Sequence, residues 1–74
     1  MALLPVVSGE AAIVAFERAG WIRSRQKGSH VSLTKPGVPV NLCVPLHREL
    51  DRGTLRKLIR LAGLSVEQFS ELLR

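Results

Sequence analysis

The chain reads as an α+β fold, a two-layer sandwich of order α-β-β-β-α with a further short helix, and three observations predict it. Apolar residues recur at helical spacing in "GEAAIVAFERA". Through the middle of the chain they alternate with a period of two. In "TLRKLIRLAG" they return to i, i+3, i+4 and i+7. A chain of 74 residues has room for one small core, so residues 1–74 are expected to form a single domain.

The elements follow in order. "MALLPVV" is a short extension, and Ser8 is placed to cap the free amides of the first helix. Ala12, Ile13 and Phe16 mark its buried side, Glu10 and Glu17 lie opposite, and Gly20 supplies the left-handed stop. "WIRSRQ" changes period: alternation sets Ile22 and Ser24 on one side and Trp21, Arg23 and Arg25 on the other. Trp21 is expected to close the first helix onto the sheet. "KGS" is a tight turn in which Gly28 can adopt positive φ. "HVSLT" then sends Val31 and Leu33 one way and His30, Ser32 and Thr34 the other. After the "KPG" turn, "VPVNLCV" puts Val38, Val40, Leu42 and Val44 on one face. Pro39 cannot donate to a ladder, which places this strand at a sheet edge. Three strands on short turns make an antiparallel meander with helices on one face.

Pro45 is expected to close the sheet, with "LHRELDRG" as a loop to the second helix. That helix buries Leu55, Leu58, Ile59 and Ala62 and ends at Gly63. Ser65 and Gln68 spell a capping box, and Leu64 with Phe69 a hydrophobic staple, for a last short helix within 65–74.

Charge narrows the class. Eleven Lys and Arg stand against six Asp and Glu, a net charge of +5, and eight of those cations are arginine. Small basic chains favour anionic polymers, and the guanidinium fork suits phosphate. Cys43 is the only cysteine, which excludes a disulfide framework and a Cys-based metal cluster and fits a reducing, cytoplasmic setting. Cys43 and Ser29 read as structural. The opening segment is too short for a signal or membrane span. No paired carboxylates, Ser-His-Asp order, P-loop, dinucleotide fingerprint or metal-ligand spacing is present, so no cofactor or metal is expected.

Two groupings remain. Arg52, Arg56 and Arg60 are spaced by four and stack on one helix face, flanked by Lys57. That stripe is either a phosphate-backbone grip or a solvated face holding ion pairs, for instance with Glu49. The second grouping is "RQKGSH", where Arg25 and Lys27 precede a glycine turn and His30. Histidine gives and takes protons near neutrality. RNA offers a reaction that asks for little more: the 2′-hydroxyl attacks the neighbouring phosphorus while one group removes its proton and cations hold the charge. The plainer readings of His30 are a half-exposed strand residue or a phosphate ligand. His47, in "PLHRE", is a second proton-transfer group only if the fold brings it close.

"AGW…RQKGSH…VPLHRELDRGTLRKLIRLAGLS" resembles the HicA (YcfA-like) toxins of bacterial HicA–HicB toxin–antitoxin pairs, from about Ser8 to about Leu73. The resemblance implies a fold like the double-stranded RNA-binding domain. It implies a metal-independent ribonuclease acting on messenger RNA, with His30 as the active histidine and Gly28 shaping its turn. It also implies an acidic HicB-like antitoxin as partner. Many relatives carry a second histidine directly after the first, where this chain has Val31. The reading is thus an endoribonuclease toxin with His30 catalytic. Arg25, Lys27, Gly28, Ser29, Arg52, Arg56, Lys57 and Arg60 are its RNA-contacting residues. Its rivals are a non-catalytic double-stranded RNA-binding module and a protein-docking domain.

Overall fold

The sheet is built around a period-two burial pattern. In the computed structural model, which describes residues 3–74, β1 (Ile22–Lys27), β2 (His30–Thr34) and β3 (Leu42–Pro45) form an antiparallel sheet in the order β1-β2-β3. Val31 and Leu33 of β2 and Leu42 and Val44 of β3 are buried on one face. Three helices cover that face: α1 (Gly9–Arg18), α2 (Arg52–Leu61) and α3 (Val66–Leu72). Ile13 and Phe16, then Leu55, Leu58 and Ile59, then Phe69 join the strand residues in one apolar cluster. Among the described residues no helix is long and apolar enough to cross a membrane.

Local chemistry sets the helix ends. The Ser8 hydroxyl accepts the Ala11 N–H at 3.0 Å, and α1 gives way to Gly20 at φ 102°, a conformation that side chains resist. Ser65 and Gln68 form the expected capping box at 3.0 and 2.8 Å. Phe69 stacks on Phe16 with centroids 5.1 Å apart, tying α3 to α1. The Arg18 guanidinium donates to the carbonyls of Leu72 and Arg74 at 2.7 and 2.8 Å, holding the chain's end against the first helix.

Two expected boundaries move. β3 begins at Leu42, not Val38. Lys35 to Val38 closes a turn, Pro39 has no N–H to give, and pairing with β2 starts only at Leu42 opposite Leu33. Val40 consequently lies 39% exposed. Pro45, read as the end of the sheet, forms its last rung opposite His30. α2 starts at Arg52, inside the stretch read as a loop, because the Asp51 carboxylate accepts the N–H groups of Gly53 and Thr54.

The first helix sits directly against the end of β3. Gly9 donates its N–H to the His47 carbonyl at 2.9 Å, and Leu50 donates to Val7 at 2.8 Å. A Cβ at position 9 would lie 2.0 Å from the Pro45 oxygen. No side chain fits there, and the obstacle is backbone. Gly9→Ala is therefore expected to cost roughly 3 kcal/mol and lower Tm by roughly 10–20 °C. Thermal unfolding followed by circular dichroism measures it, and an unchanged Tm would mean that α1 can lift off β3 without loss.

Candidate functional site

With one face of the sheet committed to the core, the other is open. Two rows of residues cross it. His30 lies between its cross-strand neighbours Lys27 and Pro45, and Ser32 between Arg25 and Cys43. Directly opposed side chains on a sheet start about 5 Å apart at Cβ, so the members of each row reach one another. All of them except Pro45 line, together with the Gly28–Ser29 turn, an open groove of about 670 Å³.

The turn sets His30 in place. Gly28 has φ 59° and, among the described residues, only glycines take a positive φ, so Ser29 does not: the sign pattern of a type II′ turn with glycine first. Lys27 and His30 are thus the first pair beyond a two-residue loop. The Ser29 carbonyl accepts the Leu46 N–H at 2.7 Å, which ties the turn to the end of β3. His30 itself is exposed.

Strict alternation sets Trp21, Arg23 and Arg25 on one side, and the structure does not. Trp21 is buried, whereas Arg25 lines the open groove. Four residues apart, they would share a face unless the strand held one extra residue. It does: Arg23 opposes Leu33 and Arg25 opposes Ser32, leaving Ser24 as a β-bulge whose hydroxyl donates to the Ser32 carbonyl at 3.2 Å. Arg23 is thereby turned toward α1, donating to Glu10 at 2.8 Å and Glu17 at 3.2 Å. The hydrogen bonds that Arg23 donates, to Glu10 first and Glu17 second, raise its pKa further above its ordinary value. The bulge sorts the cations of one strand into a neutralised one and two that face the groove. No carboxylate within the described residues pairs with Arg25 or Lys27.

The other expected site residues fall elsewhere. Lys57 lines a second, smaller groove of about 270 Å³ between β3 and α2, which meets the first at Cys43. Cys43, read as structural, is exposed and borders both. Arg52, Arg56 and Arg60 are exposed and line neither groove. Their stripe is centred about 150° around the helix axis from that of Thr54, Lys57, Leu58 and Leu61, which lines the second groove. Among the described residues none of them is ion-paired, with Glu49 or any other acid. The exposed His47 side chain lines neither groove, and its carbonyl is occupied by Gly9. No three His, Cys, Asp or Glu residues come together as a metal site among the described residues. Sequence reasoning missed Asn41, Thr54 and Cys43 as groove residues, because only the packing of α2 beside β3 brings them together.

Residues 9–64 match the family described as "HicA toxin of bacterial toxin-antitoxin". No curated protein matches the chain. Among solved structures, a toxin–antitoxin complex from Streptococcus pneumoniae contains a similar chain. The two are 32% identical with a TM-score of 0.69, over 78% of this chain and 98% of the other.

The sorting of cations is directly testable. Arg25→Ala and Lys27→Ala should each elute from heparin at lower salt than the parent. Arg23→Ala removes the same charge but should elute close to the parent and cost under about 1 kcal/mol of stability. Equal shifts for all three would mean that net charge alone governs the binding.

Proposed function

Because the chain belongs to the HicA toxin family, we propose that it is the toxin of a toxin–antitoxin pair and acts as an endoribonuclease on messenger RNA, with His30 as its general acid/base. The observation that carries this reading is an exposed histidine beside cations that no carboxylate pairs among the described residues, Lys27 opposite it and Arg25 in the adjoining row. A sugar–phosphate chain laid in this groove meets a proton acceptor and two fixed positive charges at once.

The chemistry follows from those groups. His30 takes the proton of the 2′-hydroxyl, O2′ bonds to phosphorus, and Lys27 and Arg25 hold the charge that builds on the phosphoryl oxygens. The bond from phosphorus to O5′ then breaks. The proton on the imidazole passes to that leaving oxygen, so one residue serves as base and then acid. Products are a 2′,3′-cyclic phosphate and a 5′-hydroxyl. This route asks nothing of a metal. Position 31 supports a single histidine: Val31 is 1% exposed on the core face, so a second histidine there would point away from the groove. His47 has no part in the step.

The partner we propose is an acidic antitoxin that covers the same cations, in keeping with the complex in which the similar Streptococcus pneumoniae chain was solved; a cytoplasmic setting follows from messenger RNA as target. Arg52, Arg56 and Arg60 form a separate cationic face. Their remoteness from His30 favours a second reading, a non-catalytic double-stranded RNA-binding module that grips duplex backbones by shape.

His30→Ala should lower RNA cleavage by at least about 100-fold and relieve growth arrest while leaving circular dichroism unchanged. A 2′-deoxy substitution at the cut site should block the parent enzyme, and a chelator should not. Cleavage that survives in His30→Ala removes His30 from the mechanism. A protein that shifts duplex RNA without ever shortening it fits the second reading instead.

A further inference from the structure

The second groove has a composition of its own. α2 turns Thr54, Lys57, Leu58 and Leu61 toward β3 at i, i+3, i+4 and i+7, and Asn41 and Cys43 face them from the strand side. Leu58 and Leu61 supply an apolar wall, the Asn41 amide and Thr54 hydroxyl supply polar groups, and Lys57 adds one cation. Among the described residues no protein group hydrogen-bonds the side chains of Asn41 or Thr54. The volume, about 270 Å³, falls just below that of pockets for drug-sized molecules. It adjoins the His30 groove, the two sharing Cys43 in their walls.

We propose that this groove is a nucleobase subsite, holding the base of a nucleotide that adjoins the phosphate in the His30 groove. The proposal deepens the ribonuclease reading and rests on it. A planar heterocycle needs an apolar surface for its face, hydrogen-bonding groups for its edge and a cation for the phosphate that follows. Leu58 and Leu61 meet the first need, Asn41 and Thr54 the second, Lys57 the third. No aromatic side chain lines the groove, so the base is read at its edge and not by stacking. An unstacked base of single-stranded RNA exposes that edge, whereas a duplex hides it. The donor and acceptor of an asparagine amide complement adenine at N6 and N7, which makes adenine the preferred occupant.

The test uses the full chain, 15N-labelled, titrated with 2′-O-methyl RNA trinucleotides that vary in one terminal base and cannot be cleaved. Signals of Asn41, Thr54, Lys57 and Leu58 should move together with those of Lys27 and His30. Adenine should bind about tenfold more tightly than the other bases, the size of one hydrogen-bonded contact. The double variant Asn41→Ala with Thr54→Val should lose that preference while still binding. Carboxymethylation of Cys43, the only thiol in the chain, should weaken binding at the junction of the grooves. Shifts confined to the His30 groove, or equal affinity for all four bases, would overturn the subsite. Cleavage of ordinary RNA is assayed separately. Cleavage without second-groove shifts removes the subsite alone, second-groove shifts without cleavage remove the nuclease reaction alone, and no shift anywhere removes both.

Discussion

Burying Val31, Leu33, Leu42 and Val44 on one face of a three-stranded sheet leaves their alternate neighbours no choice but the other face. His30, Ser32 and Cys43 are outside because those four residues are inside. The open surface is thus a by-product of core formation, and it needs no separate stabilising interaction. Its local requirements are the glycine-led turn that stops β1 at Lys27 and starts β2 at His30, and the bulge at Ser24.

The bulge at Ser24 resolves a contest at the start of β1. Regular pairing would have turned Ile22 inward and Trp21 outward. Burying a tryptophan removes about 150–250 Å² from water, worth about 4–6 kcal/mol. Its Nε1–H finds no partner among the described residues, a cost of about 1–3 kcal/mol. The balance still favours the larger ring, so Trp21 goes in and Ile22 stays 55% exposed. The extra residue then restores the outward face for Arg25 and Lys27. Arg23, caught on the inner side, finds its charge partners on α1.

Much of this was legible in the residues. Period and caps sufficed for α1, β2 and α3, since Ser8, the buried Val31 and Leu33 and the Ser65–Gln68 box each act within a few positions. His30, Arg25 and Lys27 were legible as a group through a two-residue turn. The facing of β1 was not, because every residue of that strand is exposed and no apolar alternation marks its register. The start of β3 was not, because Val38 and Val40 keep the rhythm of a strand where Pro39 interrupts the pairing. The separation of Arg52, Arg56 and Arg60 from the His30 groove depends on how α2 rolls against β3, which helical spacing alone does not fix.

Gly9 has a mechanical consequence. Its bare backbone lies against Pro45, the residue opposite His30, so β3 cannot tilt without lifting the first helix from its seat. The groove floor is braced for that reason, while Arg25 and Lys27 stand above it on long side chains with no carboxylate partner among the described residues. A braced floor beneath long, rotatable side chains suits anions that arrive at differing angles, and the histidine beside them sits on the braced side, opposite Pro45.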